Sequence, residues 1–582
     1  MSILSSLVQA YERLPDAPPF GFSVEKIGFL ISLNEDGSVA HVVDLRDGAG
    51  KKKVARLLPV PASFKRPGIT PRSFFLWDNT AYVLGVSANE AKGAEARHQA
   101  FYDLHMELLE ETDDEGLIAL RNFISAWSPD DFVKLGWPEE MKDQNIVFAL
   151  ERERRDRLLH QREAAKAIWE RRFADGERTQ AVCLVTGQVA PIARLHPAIK
   201  GVWGGQVAGG SIVSFNLDAF TSYGHEQGDN APVSEAAAFA YTTALNRFLE
   251  RDSGHRIQIG DASVVFWADA SDIAAASEAE SLFAAFIDPG AEDAAASKTV
   301  GIQLARIRAG EHLAQVAPDL EAGVRFYVLG LAPNAARLSI RFFFEDSFGA
   351  LTRNYQRFVS DMHIEPAPRD GYPPLWRYLR ETALLGKSEN VPPNLAGEWM
   401  RSVLGGTRYP LTLLATVLTR VRADGEVNAL RTGILKAILV RNYNREAPVA
   451  LDPSNRDRGY LLGRLFAAYE QAQNAALGGK VNATIKDKFY GSASAQPRKV
   501  FSLLDKGSAN HLSKVGKQSP GRRVNLEKVI GGIMEAMEPG DDPFPPTLSA
   551  EEQALFGLGY YHQRNEFFKK PVDAADTGET AE

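Results

Sequence analysis

Residues 324–344 read VRFYVLGLAPNAARLSIRFFF and hold the last two strand signals in the chain. Val324–Leu331 and Leu338–Phe344 are short, apolar and aromatic, the composition that suits a pleated, largely buried surface. From about residue 373 onward the apolar residues recur with helical periodicity and continue to do so. The chain therefore reads as α+β in its N-terminal and middle regions (mixed, mainly antiparallel sheets with helices), followed by an all-α C-terminal helical bundle.

Working back toward the N-terminus, Leu4, Leu7, Val8 and Tyr11 fall at helical spacing. Ile27–Leu33 and Val39–Leu45 read as strands flanking the turn Asn34-Glu35-Asp36-Gly37. A second strand pair, Phe74–Trp77 and Tyr82–Val86, brackets Asp78-Asn79, and residues 97–126 and 143–173 read as helical. Strand-like runs return at Ala181–Val185, Ile212–Phe215 and Ser263–Trp267. Residues 269–298 are Ala-rich and acidic, and read as a helix or loop on a domain edge. Pro571–Glu582 has four acids, no base and no large apolar group, so disorder is expected there.

A chain of 582 residues exceeds one hydrophobic core. The expected divisions are an α+β domain (1–268), an acidic connector (269–299), a middle domain (300–459), a helical bundle (460–569) and a tail (570–582). Cys183 is the single cysteine, which excludes a disulfide framework and a cysteine-based zinc site and fits a reducing cytoplasm. Glu12 and Arg13 come too early for a signal peptide, and no apolar run is long enough to span a membrane.

The net charge of −8 does not suggest a nucleic-acid binder, but the charge is unevenly placed. Residues 51–72 hold Lys51, Lys52, Lys53, Arg56, Lys65, Arg66 and Arg72 and no acid. Pro59, Pro61, Pro67 and Pro71 rule out a regular helix, leaving an extended basic loop. Such a loop either grips phosphates or simply keeps the protein soluble. Residues 480–523 hold Lys480, Lys486, Lys488, Arg498, Lys499, Lys506, Lys514, Lys517, Arg522 and Arg523 against Asp487 and Asp505. Their flanks are helical. Leu462, Leu465, Phe466 and Tyr469 form one stripe, and Leu526, Val529, Ile530, Ile533 and Met537 another. Ser549-Ala550-Glu551-Glu552 matches a capping box opening a third helix. The result is a small bundle with a basic face, turned either to nucleic acid or to water. The bases of Arg152–Arg172, interleaved with acids, read instead as a salt-bridged exposed helix.

No catalytic constellation stands up. None of the 11 histidines precedes an aspartate, and neither HExxH nor GxSxG occurs. Gly386-Lys387-Ser388 resembles the end of a phosphate-binding loop, but Glu381 occupies the position of its first glycine. The glycines at 201–210 make a flexible loop rather than a dinucleotide fingerprint. Cys183 with His196 could form a nucleophile–base pair, but a thiol in the middle of a strand fits an inert buried group better. No enzyme activity, cofactor or metal is expected.

Several strings occur in order along the chain. They are Phe75-Leu76-Trp77-Asp78-Asn79, Thr186-Gly187, Leu195-His196-Pro197, Ser214-Phe215-Asn216, Ser222-Tyr223-Gly224, Asn230-Ala231-Pro232 and Tyr241–Asn246. Further on come Leu329–Asn334 with Arg337, Tyr460–Glu470, Asn482–Ile485 and Gly557–Gln563. Together they resemble the large subunit of the type I-C CRISPR interference complex (Cascade). The resemblance implies a subunit of a crRNA-guided complex that recognises the PAM in target double-stranded DNA. It also implies starting the R-loop, stabilising the displaced strand and helping to recruit a separate helicase-nuclease. Sequence specificity then lies mainly in base pairing. The implied partners are the crRNA, the backbone and crRNA-end subunits, and free copies of a small subunit made from an internal start. No methionine lies between Met400 and Met534, so a start near Tyr460 needs a non-AUG codon and a start at Met400 gives a longer product.

On that resemblance, Lys51, Lys52, Lys53, Arg56, Lys65, Arg66 and Arg72 fall to duplex phosphates beside the PAM. Asn79 is either a base reader or a plain turn residue, and Gln206 either a wedge beneath the PAM or part of a mobile loop. Asn216, Tyr223 and Asn230 contact the crRNA or a neighbouring subunit, or brace an internal turn. Lys486, Lys488, Arg498, Lys499 and Lys514 are the single-strand DNA contacts, with Tyr490 either a stacking platform or core. The alternatives are a metal-dependent nuclease of the same system and an architectural subunit with no PAM role.

Overall fold

The computed structural model describes residues 2–14, 17–48, 53–63, 66, 70–88, 93–174, 179–215, 217–287, 298–369, 371–478, 483–538 and 542–569. Residues 170, 172–174 and 298 are described by backbone only. The expected tail and the end of the acidic segment therefore lie outside the described residues. The chain gathers into two compact units, Met1–Pro197 with Ser214–Ala244, and Ala198–Val213 with Leu245–Glu582.

The first unit is built on β1 (Phe22–Ile27), β2 (Phe29–Leu33), β3 (Val39–Asp44), β4 (Arg56–Pro61), β5 (Trp77–Asn79) and β6 (Asn145–Leu150). One sheet has the order β3-β2-β6-β5, and β1 pairs antiparallel with β4 apart from it. The β2–β3 hairpin closes where expected, with Gly37 in the left-handed conformation at its turn. Part of the expected 143–173 helix is instead β6, which runs parallel to β2. The reason is burial on both faces. Ile146, Phe148 and Leu150 enter one core, while Val147 and Ala149 enter another beside Leu30 and Trp77. A strand covered on both sides is apolar throughout and shows no alternation. Only Glu163–Ala174 of that stretch is α-helix, and Arg152, Arg154, Arg157 and Arg162 before it are ion-paired, Arg162 to Asp114 and Glu153. The expected 97–126 helix is two, Ala94–Leu108 and Glu115–Ala126, because Asp114 caps the second through the N–H groups of Gly116 and Leu117. The short hairpin of β7 (Gln180–Val182) and β8 (Val189–Pro191) completes the unit's strands, and Ile212–Phe215 forms none.

The second unit opens with an antiparallel sheet of β9 (Arg256–Ile259), β10 (Ala262–Asp269), β11 (Arg325–Asn334) and β12 (Arg337–Ser347), in the order β12-β11-β10-β9. β10 pairs with β11, so strands on either side of the acidic segment share one sheet, and residue 268 falls inside β10. The Ile273–Ile287 helix between them buries Leu282, Phe283 and Phe286 in the same core as Phe266 and Phe326. After β12 the described residues are helical. The Arg458–Leu477 helix crosses the Ala550–Glu566 helix at a glycine contact. A Cβ on Gly463 would overlap the Phe556 carbonyl, and one on Gly559 the Tyr460 carbonyl. A buried polar ladder locks this crossing. The Tyr460 hydroxyl meets His562 Nδ1 at 2.9 Å, Arg464 donates to Gln563 at 3.1 Å, and Tyr560 donates to Glu470 at 2.6 Å. The resemblance strings at Tyr460–Glu470 and Gly557–Gln563 are thus the two halves of one helix crossing. Ser549 and Glu552 form the expected capping box. Among the described residues no helix is long and apolar enough to cross a membrane.

Candidate nucleic-acid interface

The two basic segments take different forms. In the N-terminal one, Lys51, Lys52 and Lys65 lie outside the described residues. Residues 56–61 are strand β4 rather than loop, because they pair along their whole length with β1. Lys53 Nζ sits 2.7 Å from Asp44 and 3.4 Å from Glu140. Hydrogen bonds from Arg46 and Lys53 hold the Asp44 carboxyl well below the usual carboxylate range. Arg56 pairs with Asp47 at 3.3 Å. Arg66 is ion-paired with Asp78, and its guanidinium lies 3.8 Å from the Phe74 ring centre and 3.9 Å from that of Tyr82. Asp78 is 1% exposed and also receives the Phe74 and Asn79 N–H groups. Burial pushes its carboxyl up despite Arg66. Arg66 is therefore a brace, not a side chain held out to phosphate. Arg72 is exposed.

The Phe75–Asn79 string serves the same brace. Leu76 is fully buried with φ 61°, and His105 Nε2 accepts its N–H at 2.9 Å. Asn79 is not at a hairpin tip. Its Oδ1 accepts the Ala81 N–H at 3.0 Å and caps the Thr80–Val83 helix, which replaces the expected second strand.

In the C-terminal segment the Pro497–Gln518 helix carries the charge. Val500, Phe501, Leu504, Leu512 and Val515 face the core. Lys499, Lys506 and Lys517 recur at seven and eleven residues, which returns them to one side of a helix, and Lys514 lies about 60° round. All four are exposed, and none has a hydrogen-bond or ion-pair partner among the described residues. The helix's one acid, Asp505, points elsewhere and accepts the Tyr469 hydroxyl at 2.9 Å. The stripe is about 27 Å long. Burial and the Lys514 charge together disfavour protonation of His511 beside it. Arg523, on the Pro520–Glu535 helix, packs on Gly516 at the end of the stripe and pairs with Glu527 at 2.8 Å.

Of the expected strand contacts, Lys499 and Lys514 lie on this face. Lys488 is exposed on the Ile485–Ala495 helix, whereas Lys486 is half-buried, and burial lowers its pKa. Arg498 is turned to Asp542 and the Phe544 carbonyl. Tyr490 is core, packed among Phe466, Phe556 and Tyr560, and offers no stacking platform. Lys506 and Lys517 are the residues of this face that the sequence reading does not single out, although Lys506 follows Lys499 by seven residues and Lys517 follows Lys506 by eleven.

Gln206 lies on an exposed loop in the second unit. Ile199 and Gly210 close the loop with two 2.8 Å hydrogen bonds, and Gly204 and Gly209 take the left-handed turns it needs. Trp203 and Val207 flank Gln206 and are 57% and 99% exposed. Asn216 lies outside the described residues, and Asn230 is bound within its own turn. Cys183 and His196 do not pair. Cys183 Sγ accepts the Ser234 N–H at 3.2 Å, and His196 Nδ1 meets the Tyr241 hydroxyl at 2.7 Å. Among the described residues no group of three or more His, Cys, Asp or Glu side chains could hold a metal ion.

An α+β region followed by a helical bundle is the architecture that the sequence pattern implied, and comparison with protein families places the chain among CRISPR-associated proteins. The family model described as CRISPR-associated protein (Cas_Csd1) matches residues 7–568, and the chain belongs to that family. It is thus a CRISPR-associated subunit of the type I-C complex. No curated protein matches the chain.

Proposed function

We propose that this chain holds DNA within the type I-C surveillance complex and leaves cutting to a separate helicase-nuclease. The observation that carries this reading is the acid-free lysine face of the Pro497–Gln518 helix. With no exposed aromatic on the stripe, it grips phosphates without reading bases. Its ligand is one strand of the opened target, stabilised beside the crRNA–DNA duplex.

In the first unit, Lys51, Lys52, Lys65 and Arg72 contact duplex phosphates beside the PAM, a reading supported by the run of bases without an acid at 51–72. The loop around Gln206 is the wedge that starts strand separation. Its exposed Trp203 and Val207 suit insertion between base steps. The small-subunit form begins at Met400 or at a non-AUG codon nearer Tyr460. A Met400 start keeps Leu435 beneath Gly557 and Val449 beneath His562, whereas a start near Tyr460 uncovers both contacts.

The test is a complex carrying Lys499→Ala, Lys506→Ala, Lys514→Ala and Lys517→Ala. Target binding should weaken equally across sequences with the same PAM. Unchanged binding removes the reading. The intact protein with magnesium or manganese and labelled DNA should give no cleavage; metal-dependent cutting abolished by a point substitution would replace it with the nuclease reading.

A further inference from the structure

Residues 217–234 hold Asp218, Glu226 and Asp229 and neither lysine nor arginine. Within them Ser222 and His225 form an isolated bridge. Tyr223 (φ 52°) and Gln227 (φ 48°) both adopt the left-handed conformation that side-chain-bearing residues disfavour. Asn230 holds the turn in place. Its Nδ2 donates to the His225 and Gln227 carbonyls, both at 3.1 Å, and its Oδ1 accepts the Ser222 N–H at 3.2 Å. Gly228 ties the turn to the unit by donating to the Arg194 carbonyl at 3.1 Å, and a Cβ there would overlap the Ala193 carbonyl.

This braced, strained turn displays one aromatic side chain. Tyr223 is 99% exposed and has no hydrogen-bond or ring partner among the described residues. An aromatic ring on a preorganised turn loses little freedom when it is buried by a partner. Leu195 and Leu217, also exposed, widen the apolar surface near the turn.

We infer that Tyr223 is the anchor of a protein–protein contact, seated in an apolar pocket with a basic rim on another subunit. The charges choose between a protein and a nucleic acid. Residues 217–234 carry three carboxylates and no lysine or arginine, and with only Arg194 brought against the turn by the Gly228 hydrogen bond the surplus there stays acidic, which repels phosphates and complements lysines and arginines. This rests on the chain's place as one subunit of a complex, but it concerns a surface other than the lysine helix.

The test places p-benzoylphenylalanine at position 223 in the complex assembled by co-expression with the other protein subunits and crRNA. Irradiation should yield an adduct with one protein subunit that survives RNase and DNase. An adduct with RNA or DNA, or none, overturns the inference. Tyr223→Ala should weaken retention of that subunit roughly tenfold or more, with the melting temperature unchanged. Glu226→Lys should also weaken it, whereas a nucleic-acid partner would bind that variant more tightly. Equal retention by Tyr223→Ala also overturns the inference. Subunit retention does not read the lysine helix, so the two proposals fail separately.

Discussion

Residues 51–72 and 480–523 carry nearly the same surplus of positive charge, and the fold treats them in opposite ways. The first sits where β3, β5 and the residues before β6 bring Asp44, Asp78 and Glu140 against it. Lys53 and Arg56 are drawn into ion pairs there, and Arg66 becomes an internal brace. The second is wound into a helix whose apolar side faces the core, so Lys499, Lys506, Lys514 and Lys517 stay on the outside, ion-paired to no acid among the described residues. A run of charge in a sequence becomes a surface only where the tertiary fold brings no counter-charge to it.

The largest expected effect that sharpens this contrast is on stability. Arg66→Ala leaves Asp78 buried without its ion pair and should cost about 3 kcal/mol in urea unfolding. Lys506→Ala, on the exposed face, should stay within about 0.5 kcal/mol of the parent. If the two variants unfold alike, Arg66 is not a brace.

The acidic segment gives a second way to test the same rule. Burial pushes the Glu280 carboxyl up to about 7, although it accepts the Ala268 N–H at 2.8 Å. His255 lies 3.9 Å away, and burial, with the Arg247 charge, lowers its pKa. Because the folded form holds the Glu280 proton more tightly than the unfolded form, this contribution to stability is complete below pH 4.5 and is lost as pH rises through about 7. Glu280→Gln should remove a pH-dependent loss of roughly 3 kcal/mol across that window, measured by denaturation at stepped pH. A parent whose stability is flat between those values would contradict it. The smallest effect belongs to Lys53→Ala. A partly exposed pair to Asp44 should be worth less than about 1 kcal/mol and should weaken further in high salt.

Much of the fold was legible. The order of strands then helices, the Asn34–Gly37 hairpin and the Ser549 capping box all follow from local chemistry. β6 was not, because a strand covered on both faces shows a continuous apolar run that periodicity cannot tell from a helix. Asn79 was misplaced for a similar reason. Asparagine suits a turn and a helix cap equally, and only the Ala81 N–H distinguishes them. The basic bundle was legible as a charge surplus and an apolar stripe. Which lysines form its face depends on helix phase, and which N-terminal bases are neutralised depends on acids brought in from residues 44, 78 and 140.

One binding experiment sets the two basic regions directly against each other. The salt dependence of target-DNA binding is measured for the parent complex, for the variant with alanine at Lys499, Lys506, Lys514 and Lys517, and for the variant with alanine at Lys53 and Arg56. The expected result is a slope of log affinity against log salt that shrinks by about 3 for the first variant, near 0.7 per single-strand phosphate contact, and does not change for the second. Equal slopes in all three complexes, or a loss confined to the Lys53 and Arg56 variant, would contradict the assignment of the DNA-holding surface to the lysine helix.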